Sequence, residues 1–297
     1  MVSGSPTPWS HVFASPFGDR FHDIHCTVWG FDNRGPTAIL VHGYLQNGRE
    51  FDPLAIALAR EGWRVFCPDL PGHGRSQWHS RSRDYRAGAD SRAMATVIAV
   101  AVADAPRPSL IHLLGSSMGG GLVLGLATIP GIPLKTTTLV DVNPQWPGPG
   151  LERVIELIPS ATLFDCHADA RAALMHYAQD RGPLTETDID AIMDYCFVRE
   201  GEAYRLRFDP ALRQSIEDMR GRAGRRDRWP LWDGLRVPTL IVRGEHSVMV
   251  SSATAQEMVA RNPLAEVITI PDCGHPPWLR RAEEIEPVVS WLVRHAA

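Results

Sequence analysis

Short apolar segments that resemble buried strands alternate with helical segments over most of this chain. The strand patterns are "TAILVHG", "WRVFCP", "SLIHLLG" and "TTTLVDV" in the first half, and "VPTLIVRG" and "AEVITIP" near the end. Such alternation is typical of βαβ units, in which parallel strands form one sheet between layers of helices. The opening segment, "HVFASPFGDRFHDIHCTVWG", fits an antiparallel pair at one edge of that sheet. The sequence therefore predicts an α/β fold with a mostly parallel sheet.

The alternation stops between residues 144 and 232. Helical spacing fills this interval, in "GLERVIELI", "HADARAALMHYA", "TETDIDAIMDYC" and "DPALRQSIEDM". A helical insertion in an otherwise alternating chain is typical of a lid that covers one edge of the sheet. We therefore predict a discontinuous core domain, residues 1–143 and 233–297, that carries a helical cap at residues 144–232.

Composition excludes several classes of partner and chemistry. The net charge of −4 gives no electrostatic case for nucleic acid or an anionic membrane, and no stretch reaches the roughly 18 apolar residues of a membrane span. Lys135 is the only lysine, which argues against Schiff-base chemistry and a Walker-type phosphate loop. The N-terminus lacks the basic start and apolar run of a signal peptide, and the five cysteines form no C-x-x-C pair. We therefore predict a cytoplasmic protein with reduced thiols.

The segment "GSSMG" matches the G-x-S-x-G pattern of a nucleophile elbow, with Ser117 at its centre. It follows a strand pattern and opens a helical one, which is the context that the motif requires. The small residues Gly115 and Gly119 permit the tight turn, and the start of the helix favours negative charge. Ser117 is therefore the predicted nucleophile.

A serine hydroxyl becomes a good nucleophile only when a base accepts its proton. His275 lies in "PDCGHPPW", on the loop between the last strand and the last helix, and is the predicted base. Acyl transfer also needs two N–H groups that face the developing oxyanion. One belongs to the residue after the nucleophile, Met118, and the other is expected from Tyr44, in the turn after "AILVHG".

Five segments together resemble the α/β-hydrolase superfamily, in particular its large group with a helical cap. They are "VHGYLQNGREFDPLA", "CPDLPGHGRS", "GSSMGG", "PTLIVRGEH" and "PDCGHPPW", and they occur in the family order over nearly the whole chain. The resemblance implies an eight-stranded, mostly parallel sheet flanked by helices, with the cap inserted after the sixth strand, "TTTLVDVNP". It also implies a triad of nucleophile, acid and histidine. Relatives with a carboxylate nucleophile are disfavoured because the elbow holds Ser117.

The acid of this triad is not where the resemblance leads us to expect it. Relatives usually carry an aspartate after the seventh strand, in a pattern like G-E-x-D, but here Ser247 occupies that position. Asp141, at the end of the sixth strand, is one substitute, because some relatives place the acid there and the carboxyl ends of neighbouring strands converge. Glu245, on the usual loop, is the alternative acid. A Ser–His dyad without an acid, or an inactive site, also remains open.

These features predict a serine hydrolase that uses no cofactor and no metal. Its substrate would be a small, largely apolar molecule with an ester, thioester, lactone or activated C–C bond, which is cleaved through an acyl-enzyme. The altered acid position leaves two alternatives: a non-hydrolytic enzyme of the same fold, such as a lyase or a cofactor-independent oxygenase, and an inactive ligand-binding protein. The sequence also leaves room for a homodimer.

Overall fold

The computed structural model describes residues 6–85, 87–105, 110–145, 149–214 and 227–296. Its central feature is a sheet of eight strands in the order β1-β2-β4-β3-β5-β6-β10-β11. These strands are β1 (Trp9–Phe17), β2 (Arg20–Trp29), β3 (Thr37–Val41), β4 (Arg64–Pro68), β5 (Ile111–Ser116), β6 (Leu134–Val140), β10 (Thr239–Gly244) and β11 (Ala265–Ile270).

The sheet is mostly parallel, as the sequence predicts. Strand β2 pairs antiparallel with both β1 and β4, so the opening pair forms one edge, and every other neighbouring pair is parallel. Parallel strands end at the same edge of a sheet, so the loops after β3, β5, β6, β10 and β11 meet on one side. That side is where the predicted site residues lie.

Helices cover both faces of the sheet because its central strands are apolar on both sides. Leu113 and Ile241 pack into one apolar layer, whereas the adjacent Leu114 and Val242 pack into the other. Successive side chains of a strand point to opposite faces, so continuous apolar runs require two covered faces. The helices of the core are α1 (Asp52–Arg60), α2 (Ala87–Ala103), α3 (Met118–Leu126), α8 (Ser252–Arg261) and α9 (Ala282–Arg294).

The chain between β6 and β10 contributes no strand to the central sheet within its described residues. Its described residues include the helices α4 (Pro149–Leu157), α5 (His167–Ala178), α6 (Glu186–Cys196) and α7 (Trp229–Asp233). The first three correspond to predicted helical patterns; of the fourth predicted helix, residues 209–219, the structure describes 209–214, and 212–214 of these are helical. The predicted boundary between 232 and 233 falls within α7, whose Trp232 packs in the apolar core.

The insertion also contains short strands that the sequence did not predict. Strands β7 (Leu163–Phe164), β8 (Phe197–Glu200) and β9 (Ala203–Leu206) form a separate antiparallel sheet in the order β7-β9-β8. Strands β8 and β9 form a tight hairpin, in which Gly201 adopts a φ of +67° that glycine tolerates without a Cβ clash. Strands of two to four residues are too short for a clear alternating pattern, which explains why the sequence did not predict them.

No helix in the described ranges is both long enough and apolar enough to cross a bilayer.

Candidate active site

Ser117 lies at a sharp turn between β5 and α3. Its backbone has φ +49° and ψ −112°, a conformation that L-residues rarely adopt and that costs of order 1–3 kcal/mol. The turn is tied to the sheet, because the Ser117 N–H donates to the carbonyl of Val140 at 2.9 Å. This strained geometry places the side chain at the end of the strand, as expected for a nucleophile elbow.

Glycine is required beside Ser117 because the elbow packs directly against neighbouring backbone. A Cβ on Gly119 would lie 2.3 Å from the carbonyl oxygen of Val41, and one on Gly120 would lie 2.2 Å from Cγ2 of Val142. Both distances are far inside van der Waals contact. The glycines of "GSSMGG" therefore allow α3 to approach the sheet closely.

Ser117, His275 and Asp141 form a continuous hydrogen-bonded chain. The Ser117 hydroxyl is 2.8 Å from Nε2 of His275, and Nδ1 of His275 is 3.0 Å from Oδ2 of Asp141. An ionised carboxylate only accepts hydrogen bonds, so the contact with Asp141 assigns the proton to Nδ1 and leaves Nε2 free to accept from Ser117. The Asp141 side chain is fully buried, and that of His275 is 2% exposed. This arrangement can activate a serine hydroxyl.

Asp141 reaches His275 because β6 lies between β5 and β10 in the sheet. Val140 pairs with Ser116 on one side and with Val242 on the other, so the next residue, Asp141, lies beside Ser117 at the same sheet edge. The backbone of Asp141 turns away from the strand with φ +58°, a conformation that aspartate adopts more readily than most residues.

The other two residues considered for the acid position make different contacts. Ser247 accepts hydrogen bonds at 3.0 Å from the backbone N–H groups of both Met249 and Val250, so its hydroxyl stabilises the turn after β10. Glu245 is exposed and accepts from the Asp272 N–H at 3.3 Å. Neither residue hydrogen-bonds His275 in the described part of the chain, so the structure brings together Asp141 and not Glu245 with the histidine.

Glu245 also belongs to the one potential metal-ligand group that the described residues contain. Its carboxylate, the imidazole of His246 and the carboxylate of Asp272 offer atoms within 4.8 Å of one another, and all three side chains are exposed. Exposed groups of this kind are common without a metal, and this one lies outside the buried Ser117–His275–Asp141 chain.

We expect Ser247→Ala to lower the free energy of unfolding by about 1–2 kcal/mol, because two backbone N–H groups lose their acceptor. Urea denaturation of the variant and wild type measures this difference, and Ser247→Thr, which keeps a hydroxyl, is the matched control. Catalytic activity should stay close to that of wild type. A large fall in activity at unchanged stability would instead place Ser247 in the catalytic network.

The turn after β3 presents Tyr44 beside the elbow. A Cβ built on Gly43 would lie 3.6 Å from Cβ of Ser117, so the two turns are in contact. The Gly43 carbonyl accepts from the Gln46 N–H at 3.3 Å and lies 2.7 Å from Nδ1 of His42. In a trans peptide the C=O and N–H groups point in opposite directions, so the Tyr44 N–H points away from these partners.

The backbone N–H groups of Tyr44 and Met118 are the two predicted oxyanion donors. Among the described residues, neither N–H donates a hydrogen bond to a protein group. His42 holds the turn in place, because its Nε2 accepts from the Leu70 N–H at 2.9 Å. Burial lowers the pKa of the His42 imidazole. Two free N–H groups beside a serine hydroxyl are the arrangement that stabilises an oxyanion.

Two adjoining cavities open around this site. The smaller cavity has a volume of about 20 Å³ and is lined by Ser117 and His275, and residues of the insertion form its apolar wall. Its lining residues are Gly43, Tyr44, Gln46, Ser117, Val154, Leu157, Ile158, Tyr177, Arg181, His275 and Pro276. The larger, of about 600 Å³, shares Val154, Leu157 and His275 and continues between the insertion and the loops after β10 and β11. Helix α4 therefore lines both cavities through Val154 and Leu157, and His275 borders the inner and the outer one.

The structure also shows a buried ion pair that we did not predict from the sequence. Glu50 and Arg181 are each only 2% exposed, and their charged groups are 3.7 Å apart across the boundary between core and insertion. Burial raises the pKa of Glu50 to about 7, although the charge of Arg181 opposes that shift. "NGREFDP" and "QDRGPL" both resemble polar loops, so the sequence held no signal for burial of either residue.

Comparison with known proteins places the chain in a family. Residues 38–288 match the model of the alpha/beta hydrolase family, so the chain belongs to that family. A crystal structure of an alpha/beta hydrolase from Novosphingobium aromaticivorans matches with a TM-score of 0.84 and 27% identity, over 98% of this chain and 100% of that one. The predicted superfamily and fold are thereby confirmed.

Relatives named for their activities include hydrolases. A 3-hydroxybutyrate-oligomer hydrolase of Cupriavidus necator is 30% identical over 284 residues, which are 93% of this chain and 94% of that protein. A pimeloyl-[acyl-carrier protein] methyl ester esterase of Xanthomonas campestris is 27% identical over 277 residues, which cover 91% of this chain and 98% of the esterase. The protein is a hydrolase, in agreement with the predicted enzyme class.

Proposed function

We propose that this protein is a serine esterase in which Ser117, His275 and Asp141 form the catalytic triad. The observation that carries the proposal is the hydrogen-bonded chain from Ser117 Oγ through His275 to Asp141, beside the free amides of Tyr44 and Met118. The domain division predicted above, with residues 144–232 as a cap over this site, is part of the same proposal. The five free cysteines fit a reducing compartment, so the proposal includes a cytoplasmic location.

The proposed reaction uses each residue of the chain in turn. The Ser117 oxygen bonds to the carbonyl carbon while His275 Nε2 takes the hydroxyl proton, and the buried Asp141 carboxylate stabilises the imidazolium. The Tyr44 and Met118 amides hold the oxyanion. His275 returns the proton to the departing alkoxide, which leaves as an alcohol. Water then attacks the acyl-enzyme with the same proton transfers and releases the acid.

The proposed substrate is an ester of a short hydroxy acid, in the manner of a 3-hydroxybutyrate oligomer. The support is the C. necator relative, which matches nearly the full length of both chains, and the apolar wall that Val154, Leu157 and Ile158 give the inner cavity. The outer chamber of about 600 Å³ is large enough for the remainder of a short oligomer.

Hydrolysis of defined esters in ¹⁸O-labelled water tests this proposal. We expect the dimer and trimer of 3-hydroxybutyrate to be cleaved to monomer, with ¹⁸O in the newly formed carboxyl group, because water resolves the acyl-enzyme. Pimelate methyl ester and p-nitrophenyl butyrate serve as comparison substrates. Preferential cleavage of the methyl ester would reject the hydroxy-acid specificity but keep the esterase, and products without ¹⁸O would reject hydrolysis through an acyl-enzyme.

A further inference from the structure

Three consecutive peptide groups of the turn after β3 are anchored from different directions. The Gly43 N–H donates to Oε1 of Glu50 at 3.3 Å, and the Gly43 carbonyl is held by His42 and Gln46 as described above. The Tyr44 carbonyl accepts from the hydroxyl of Tyr177, on α5 of the insertion, at 2.8 Å. The Tyr44 N–H lies between these anchors, so its direction depends on all of them.

Glu50 is itself held in place from the insertion. The Gln46 side chain lies between the carboxylate of Glu50 and the guanidinium of Arg181. When its amide is oriented to bond both groups, its nitrogen is 3.3 Å from Glu50 Oε2 and its oxygen is 3.0 Å from Arg181 Nη1. Arg181 Nε also donates at 3.0 Å to the carbonyl of Pro276, the residue after His275. Its guanidinium stacks over the Trp278 ring, 3.4 Å from the centroid. One buried network therefore connects the Tyr44 turn, the histidine loop and the insertion.

We propose that Glu50 is a positioning residue for the oxyanion hole, whose carboxylate, held by Arg181 and Gln46, fixes the Gly43 N–H and thereby aims the Tyr44 amide. This inference rests on the proposed function. Glu50 does not line the inner cavity, so it acts through Gly43 and not on the substrate. A carboxylate accepts an N–H hydrogen bond more strongly than a neutral acid does, so the anchor depends on ionisation of Glu50.

The ionisable groups around Glu50 keep their charge states near neutral pH. A change of charge in this network near pH 7 is therefore assigned to the Glu50 carboxyl. Arg181 and Arg280 act on it as cations. Burial raises the pKa values of Tyr177, Tyr195 and Cys196, so these three stay neutral. The pKa of His42, behind the turn, is lowered by burial, so His42 also stays neutral as the pH rises through 7.

The ratio of wild-type to Glu50→Gln reaction rates, measured across pH, tests the inference. At about pH 8.5 we expect wild type to react with a fluorophosphonate about tenfold faster than the variant. This difference is smaller than the one caused by loss of a whole oxyanion donor. At about pH 5.5 the two proteins should react equally fast. The ratio should rise with its midpoint near pH 7, the pKa of Glu50. With p-nitrophenyl butyrate, kcat should fall and KM should change little.

Thermal stability separates positioning from a general structural role. Folding raises the pKa of Glu50 from its ordinary 4.5 to about 7. Between these two pH values the folded chain therefore binds more protons than the unfolded chain. The Glu50 contribution to stability is thus complete below about pH 4.5 and is lost as the pH rises through 7. Relative to wild type, the Tm of Glu50→Gln should therefore increase between about pH 4.5 and about pH 8.5, over the same range in which its relative rate falls.

Glu186→Gln is the matched control, since Glu186 is an exposed carboxylate of the insertion that pairs with Arg171. Its rate ratio to wild type should remain near one at every pH. A ratio for Glu50→Gln that is independent of pH, or a Tm that falls together with its rate, would overturn the positioning role while wild type is still labelled at Ser117. Absence of labelling in wild type would overturn the proposed function itself.

Discussion

Ser117→Ala is expected to abolish fluorophosphonate labelling and to reduce ester turnover by about 10⁴- to 10⁶-fold, the range seen when a serine hydrolase loses its nucleophile. Among the described residues, the Ser117 hydroxyl is the group that hydrogen-bonds His275 Nε2, at 2.8 Å. The backbone strain of the elbow is the same for alanine as for serine. The Tm of the variant should consequently stay within a few degrees of wild type, so the loss is chemical. Intact-protein mass spectrometry after labelling measures the first effect directly.

Ser116→Ala is the matched control for that experiment. Ser116 is the neighbouring residue of the same motif, 2% exposed, and its hydroxyl makes no hydrogen bond to any described residue. Its removal should leave labelling intact and cost little stability. Labelling that persists in Ser117→Ala and disappears in Ser116→Ala would show that the register of the elbow is wrong.

The parts that the sequence predicted well are those encoded over a short stretch of chain. The elbow is a strand, a glycine turn and a helix in succession, and the steric need for Gly119 and Gly120 can be read from the motif. The mostly parallel sheet was predictable for a similar reason, because doubly covered strands need apolar residues on both faces, whereas its count of eight strands was implied by the resemblance to the α/β-hydrolase superfamily. Its confirmation by the family match and the Novosphingobium structure concerns the fold, whereas the catalytic roles remain predictions.

The parts that the sequence missed depend on partners that are distant along the chain. Glu50 and Arg181 are buried only because the insertion folds back onto the turn after β3, and each looks like a solvated loop residue in its own segment. The hairpin of β8 and β9 is stabilised by pairing with itself and with β7, so its four-residue strands need no clear periodicity. Ser247 shows the converse case, since a family pattern marked its position but the side chain stabilises a local turn.

Asp141→Asn is expected to reduce turnover by about 10³- to 10⁴-fold while the fold is retained. The carboxylate accepts from His275 Nδ1 at 3.0 Å, whereas an asparagine amide in the same place can donate to Nδ1. That contact would favour the tautomer with the proton on Nε2, which cannot accept the Ser117 proton. Asparagine is the appropriate substitution because it tolerates the φ of +58° at this position. Steady-state kinetics with p-nitrophenyl butyrate and circular dichroism measure the two effects.

Glu245→Gln is the control that decides between the two carboxylates. Glu245 is 50% exposed at its side chain and contacts Asp272 and His246, so its neutralisation should change turnover by less than about threefold, as for other exposed charges. The opposite ranking, a large loss in Glu245→Gln and little in Asp141→Asn, would assign the acid to the loop after β10. The expected ranking follows from sheet order alone: β6 lies next to β5, so a carboxylate that ends β6 lies beside the nucleophile whether or not the loop after β10 supplies one. The proposed triad therefore keeps a buried carboxylate hydrogen-bonded to His275 although position 247 holds serine.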